Sequence, residues 1–281
     1  MIRRLTLRVW LLAAAILAGC TTTSSTTSTV TGATPIVPTV QDAGAARGRV
    51  TASDETDAER RAKVRLELAN AYFERGQLDT ALDEVKLSLQ ASPNNTDALN
   101  LRGLVYAALD EPRLAEDSFK RSIQVNPNDG GSINIYAWFL CQRDRLAEAD
   151  TLFQQALALP QYRDAKRSLH ARGVCLSRAG RWLEAEGALL RAYELEPANV
   201  GIAFNLADVL YRRQDYDRAR FYINRVNSAE GAANAQTLWL AARIARKLGD
   251  ESQLNILGEQ LRGRYPQSPQ SLALERGQFD E

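Results

Sequence analysis

Small residues recur along most of the chain at a spacing of about 34 residues. An alanine suited to open a helix stands at Ala81, Ala115, Ala149, Ala185 and Ala219, with Leu254 as a poorer sixth instance, at intervals of 34, 34, 36, 34 and 35 residues. If that residue is counted as position 20 of each unit, position 8 is small as well, at Ala69, Gly103, Ala137, Gly173, Ala207 and Ala242. A constant period of this length indicates a repeat architecture.

Each unit has the pattern of two helices joined by a bend. Large apolar residues surround the small ones, glycines such as Gly76 mark bends, and Pro93 and Pro127 stand where a second helix ends. Because one hairpin cannot bury its apolar face alone, the units must stack on one another. We predict an all-α, right-handed superhelical solenoid of about six repeats over residues 62–268, within a domain of residues 58–281.

Two segments depart from the period. Two extra residues between the third and fourth units, near Pro160, predict a longer loop. Residues 270–281 have little apolar content, so we expect this tail to add at most a short capping turn.

The first 19 residues have the pattern of an export signal. Arg3, Arg4 and Arg8 precede an apolar stretch at residues 9–18 that is too short to span a bilayer and suits a secretory signal peptide. No apolar stretch of about 18 residues occurs further along the chain. We therefore expect no transmembrane helix in the mature protein.

The signal ends in Leu-Ala-Gly followed by Cys20. This resembles the lipobox of bacterial lipoproteins, in which the cysteine receives diacylglycerol; the alternative is an ordinary signal peptide with a chance cysteine. Several acyl chains make such a membrane anchor effectively permanent. Thr21 is not the aspartate that, in the enterobacterial sorting rule, retains lipoproteins at the inner membrane. The resemblance therefore implies a protein anchored to the outer membrane and facing the periplasm.

Residues 20–57 form a linker rich in Thr, Ser, Gly, Ala and Pro, without an apolar period. Such a segment cannot bury enough surface to offset the entropy lost on ordering. We predict a disordered tether that joins the lipidated Cys20 to the repeats.

The composition argues against several classes of function. The chain has 35 Lys and Arg against 34 Asp and Glu, so it lacks the basic field that nucleic acids require. One histidine, His170, and three cysteines are too few for the usual metal or catalytic clusters. We expect a monomeric protein that is not an enzyme, holds no cofactor or metal, and binds another protein and, through its lipid, a membrane.

The small residues at positions 8 and 20, with the proline that ends each unit, resemble tetratricopeptide (TPR) repeats. In TPR proteins the first helix of each pair lines a concave groove through positions 2, 5, 9 and 12. The resemblance implies a partner groove formed by Leu66, Asn70, Phe73, Asn100, Leu104, Asn134, Trp138, His170, Phe204, Tyr211 and Trp239. Aromatic rings and amides suit an extended or helical peptide. The alternative is that Trp138 and Trp239 pack between neighbouring repeats.

Two cysteines remain if Cys20 is lipidated. Cys141 and Cys175 fall in the first helices of consecutive repeats, at positions 12 and 10, and those helices pack side by side in a TPR array. In an oxidising periplasm we predict a disulfide between them. The alternative is a pair of buried, reduced thiols.

Several segments, at residues 134–141, 207–211 and 261–266, resemble the type IV pilus pilotin family that includes PilF and PilW, and the similarity runs over residues 61–268. It implies an outer-membrane lipoprotein that binds the type IV pilus secretin and helps to localise and assemble it. The alternative is a TPR scaffold lipoprotein that serves outer-membrane barrel assembly or cell-wall synthesis.

We predict that the substitution Cys20→Ala releases the protein from the membrane fraction and leaves its repeats folded. The proposed anchor and the repeats share no sequence and are separated by the tether. Fractionation followed by circular dichroism tests this, and a loss of helix in the variant would show that the lipidated end does more than direct the protein to the membrane.

Overall fold

The protein is helical throughout the part that a computed structural model describes, residues 56–279, and no strand occurs there. The predicted signal peptide, Cys20 and almost all of the tether lie outside these residues. All described residues lie in one compact unit of the chain. The helices are α1 (Asp57–Glu74), α2 (Leu78–Ala91), α3 (Thr96–Ala108), α4 (Pro112–Val125), α5 (Gly130–Gln142), α6 (Leu146–Ala158), α7 (Ala165–Arg178), α8 (Trp182–Leu195), α9 (Val200–Arg212), α10 (Tyr216–Ser228), α11 (Ala235–Leu248), α12 (Glu251–Arg264) and α13 (Pro269–Glu275).

Most of the first helices begin after a side chain that can accept a hydrogen bond. Such a side chain satisfies a backbone N–H group that has no partner within the helix. The residues that do this are Thr56, Asn95, Asp129, Asn199, Asn234 and, before α13, Ser268. Except before α7, where Asp164 makes no such bond, the end of each repeat therefore supplies the cap of the helix that follows.

The two helices of each pair meet at the small residues. Ala69, Ala137 and Ala207 at position 8 are completely buried, as are the five alanines at position 20. Where position 8 is glycine, the approach is closer still. An added Cβ at Gly103 would lie 2.4 Å from Cε1 of Phe119, and one at Gly173 would lie 2.5 Å from Cγ of Leu189. The predicted all-α solenoid is confirmed, with six helix pairs followed by α13.

The bend inside each pair contains one residue in the left-handed backbone conformation, always at position 15. Glycine adopts this conformation without strain, and aspartate tolerates it better than most other residues do. The six residues and their φ angles are Gly76 (71°), Asp110 (58°), Asp144 (59°), Gly180 (71°), Gln214 (64°) and Gly249 (71°). The same turn thus recurs in every pair, even where glycine is absent.

Ion pairs link the second, third and fourth helix pairs each to the pair that follows. Arg145 Nη1 lies 2.6 Å from Glu116 Oε2 of the preceding repeat, and Arg181 Nη1 lies 2.7 Å from Asp150 Oδ2. Both carboxylates stand at position 21 and both arginines at position 16. The side chains of Glu116 and Asp150 are only 19% and 8% exposed, respectively, so these contacts are better shielded than ordinary surface pairs.

The hydrogen bond from Arg145 lowers the pKa of Glu116 to about 2, with help from Lys120 and Tyr136, although partial burial acts in the opposite direction. A carboxyl whose pKa is lower in the folded state contributes stability above its unfolded pKa. That contribution is lost as the pH falls towards the folded pKa.

We therefore expect the wild-type protein to lose on the order of 2 kcal/mol of unfolding free energy through Glu116 as the pH falls from 4.5, the ordinary pKa of a glutamate, to about 2. Urea unfolding at several pH values should show a smaller acid loss in Glu116→Gln. The matched control is Glu67→Gln, an exposed position on α1. Equal acid dependence in Glu116→Gln and the wild type would contradict this assignment.

Candidate functional site

A cleft of about 470 Å³ lies on the face formed by the first helices of the second, third and fourth repeats. Its walls come from α3, α5 and α7. They are mostly apolar, with a few polar groups at the edge, as is usual for binding sites. The lining residues are Leu104, Ala107, Asn134, Ile135, Trp138, Phe139, Gln142, Arg167, His170, Ala171 and Val174.

The structure brings four of the predicted groove residues together in this cleft: Leu104, Asn134, Trp138 and His170. Trp138 is half-buried and packs on the core cluster that contains Phe119 and Phe153. Its ring therefore both lines the cleft and packs on the core, so the two interpretations of this residue do not exclude each other.

The predicted amides are used mainly inside the solenoid. Asn100 is 5% exposed, and its Nδ2 donates to Ser132 Oγ of the next repeat at 2.7 Å. Asn134 is 7% exposed, and its Oδ1 accepts from Ser168 Oγ, again in the next repeat, at 2.7 Å. The repeat pattern predicts that these amides meet a partner's backbone, but the structure places their hydrogen bonds between repeats.

Among the residues that line the cleft, Arg167, at the edge, is the one with a permanent charge. Its side chain is 73% exposed and lies 3.6 Å from Asp164, one turn earlier in sequence. His170 lies beside it, and burial lowers the pKa of its imidazole, which favours the neutral form. The Nε2 atom of His170 lies 2.8 Å from Asn205 Nδ2, so the histidine links α7 to α9.

The predicted groove residues of the first repeat do not line the cleft. Leu66 and Phe73 are half-buried and pack on the first core cluster, while Asn70 Nδ2 donates to Leu66 O of its own helix at 3.0 Å. Phe204, on α9, is also half-buried and packs against the C-terminal core.

At the C-terminal end the chain covers its own groove positions. Phe279 is 6% exposed and stacks on Trp239, with ring centroids 5.1 Å apart. The guanidinium of Arg243 lies 4.6 Å from the ring centroid of the buried Tyr211. The tail thus does more than the predicted capping turn, since it contains the helix α13 and covers Trp239.

Cys141 and Cys175 are joined by a disulfide between α5 and α7, with a Cα–Cα distance of 5.8 Å. This separation is normal for a disulfide. Both residues are buried, in the core cluster on which Trp138 and Ala171 pack. The bond therefore fixes two of the three helices that form the cleft.

Several residues of this region were not predicted. Ile135, Phe139 and Arg167 line the cleft, and Phe279 covers Trp239. Phe139 has a detectable signal, because it belongs to the aromatic run around Trp138. Phe279 is the one aromatic residue among residues 270–281, which could have marked it as an anchor.

Within residues 56–279, no group of three or more His, Cys, Asp or Glu side chains is arranged to hold a metal ion. The same residues contain no helix long and apolar enough to cross a membrane. The cleft itself offers no nucleophile paired with a base, because His170 is bonded to Asn205.

Comparisons with known proteins agree with this architecture. The family description "Tetratricopeptide repeat" matches residues 66–133 and 170–235. The type IV pilus assembly protein PilF of Pseudomonas aeruginosa is 25% identical over 203 residues, which cover 72% of this chain and 80% of PilF.

Solved structures show the same fold. The crystal structure of PilW, described as a widely conserved type IV pilus biogenesis factor, is 26% identical, with a TM-score of 0.71 over 76% of this chain and 98% of PilW. The structure of Pseudomonas aeruginosa PilF is 22% identical, with a TM-score of 0.70 over 79% of this chain and all of that chain.

The chain therefore contains tetratricopeptide repeats, the repeats of scaffold proteins that are not enzymatic. Its sequence and fold are similar to those of the type IV pilus proteins PilF and PilW.

We predict that protein purified from the periplasmic side has no free thiol at Cys141 or Cys175. The bond closes a loop with a sequence separation of 34 residues. Reduction should lower the unfolding free energy by about 3–4 kcal/mol, because it removes a constraint on the unfolded chain. Thiol labelling in denaturant without reductant provides the measurement. Labelling of both cysteines would refute the bond in the native protein.

Proposed function

We propose that this chain acts in type IV pilus biogenesis as a lipoprotein of the outer membrane. In this role it binds the type IV pilus secretin and helps the secretin to reach the membrane and assemble into a ring. The cleft of α3, α5 and α7 receives a segment of the secretin subunit. The lipid on Cys20 holds the complex at the membrane.

The similarity to PilF and PilW supports the role in pilus biogenesis. It extends over about three quarters of the chain and is accompanied by the same fold. Fold alone does not define function, so the choice among TPR functions rests on these two relatives.

The observation that carries the binding role is the open apolar cleft. A surface with a half-buried tryptophan and branched aliphatic walls gains free energy when a partner's apolar side chains cover it. The disulfide and the inter-repeat hydrogen bonds hold its walls in place. A preformed cleft loses little entropy on binding, which favours recognition.

In this proposal the lipid anchor also raises the local concentration of the secretin at the membrane. A secretin segment held by a membrane-bound protein meets other subunits in a thin layer instead of in the whole periplasm. Association then proceeds at a high effective concentration without any further contact. A protein that promotes assembly in this way needs no catalytic group.

We predict that deletion of the gene removes heat-resistant secretin multimers from the outer-membrane fraction, while secretin monomers persist. A plasmid copy of the wild-type gene should restore the multimers. A copy with Trp138→Ala should restore them poorly, because the substitution removes the largest apolar surface of the cleft. Immunoblots of fractionated envelopes provide the measurement.

The control is Leu183→Ala. Leu183 is 69% exposed on α8 and does not line the cleft, so this variant should act like the wild type. Multimers at wild-type intensity in the deletion strain would reject the secretin role. A defect in barrel insertion or cell-wall synthesis in that strain would favour a general scaffold instead.

A further inference from the structure

The C-terminal tail shows how this protein holds an aromatic side chain. The ring of Phe279 stacks on Trp239, and the guanidinium of Arg246 lies 4.4 Å from the centroid of the same ring. Arg243 Nε donates to the backbone carbonyl of Phe279 at 2.8 Å. An aromatic residue is thus bound by a tryptophan together with arginines, a combination in which stacking and cation–π attraction act on the same ring.

In the sequence, Phe279 is followed directly by two acidic residues. The described end of the tail thus places an aromatic residue on Trp239, and in the sequence that aromatic residue precedes acidic ones. Carboxylates next to arginines contribute attraction, whereas basic residues in their place would be repelled.

The cleft presents the same combination of groups. Trp138 stands at position 9 of α5 and Trp239 at position 5 of α11, so both lie at positions that line the groove of TPR proteins. Arg167 lies at the edge of the cleft, as Arg243 and Arg246 lie beside Phe279. Around Trp138 the walls are aliphatic, with Leu104 from α3 and Val174 from α7 among them.

The charges around the cleft also select its occupant. No carboxylate is among the lining residues. The nearest ion-pair partner is Asp164, 3.6 Å from Arg167, a loose contact at the surface that leaves most of the guanidinium exposed. On the neighbouring side Glu196 is already paired with Lys166 at 3.1 Å. The edge of the cleft therefore attracts an anionic group.

We propose that the cleft binds a partner segment in which an aromatic or large aliphatic side chain is followed by acidic residues. The apolar side chain lies against Trp138, and a carboxylate pairs with Arg167. This deepens the proposed function by giving the chemistry of the bound segment. The chain's own tail does not supply that segment, because Phe279 is already buried on Trp239.

The probe is a fluorescein-labelled peptide with the sequence of residues 277–281, flanked by Gly-Ser. Three matched peptides replace its Phe with Ala, its Asp-Glu with Asn-Gln, or its Asp-Glu with Lys-Lys. Fluorescence anisotropy with the full chain at low salt measures binding. We expect the Ala peptide to bind undetectably, and the Asn-Gln peptide to bind about two- to five-fold more weakly than the parent, as for one exposed ion pair.

Protein variants then locate the site. Arg167→Glu should reverse the preference in favour of the Lys-Lys peptide, and it cannot disturb the core because the side chain is 73% exposed. Trp138→Ala should abolish binding of the parent peptide. Arg113→Glu, an exposed charge reversal on α4 that does not line the cleft, should change nothing.

Four outcomes overturn the proposal, and the first three concern the peptides and Arg167. They are equal binding of the acidic and basic peptides, an unchanged preference in Arg167→Glu, and no binding of the parent peptide at millimolar concentration. Loss of binding in Trp239→Ala but not in Trp138→Ala would show that the peptide merely replaces the tail, which also rejects the cleft. None of these outcomes bears on secretin multimers in the envelope, so the proposed function is judged separately.

Discussion

The close approach of two helices at small residues is the constraint on which the rest of the structure depends. At Gly103 there is no room for even one more carbon atom, because the ring of Phe119 occupies the space. Alanine or glycine recurs at the same place in every repeat, so each pair adopts nearly the same geometry. A solenoid built from one repeated contact then presents its first helices side by side, and a continuous face results.

A second set of contacts, between neighbouring repeats, fixes the positions of the helices that form this face. Position 21 carboxylates receive arginines from the next repeat, and serines at position 3 bond to amides of the preceding repeat. Between α5 and α7 the disulfide adds a covalent connection. The amide–serine bond and the disulfide lie two turns apart on one face of α5 and α7, whereas the ion pairs reach carboxylates on the second helices, so together they restrict both the spacing and the rotation of neighbouring pairs. A binding cleft between three helices needs this restriction.

The face formed by the first helices differs between the middle of the array and its C-terminal end. In the middle of the array Trp138 lines an open cleft, while near the C-terminal end Trp239 is covered by Phe279. The C-terminal tail caps the last core, which would otherwise expose apolar surface, as terminal repeats in solenoids commonly require. The proposed binding surface is thereby confined to the central repeats, and the C-terminal tail contributes stability.

The sequence by itself determined the local and periodic features: six helix pairs, their small contact residues, their bends, and the two cysteines brought side by side by the repeat. These features follow from residue patterns within one repeat, and such patterns do not depend on how neighbouring repeats pack. Only the tertiary structure decided which groove positions face outwards. Asn100 and Asn134 occupy groove positions in the repeat, yet their amides bond to serines that belong to the next repeat. Phe279 reaches Trp239 from 40 residues away, a contact that no periodicity encodes. The reason is physical: exposure of a side chain depends on which neighbour meets it, and in a stacked array that neighbour comes from another unit of the chain.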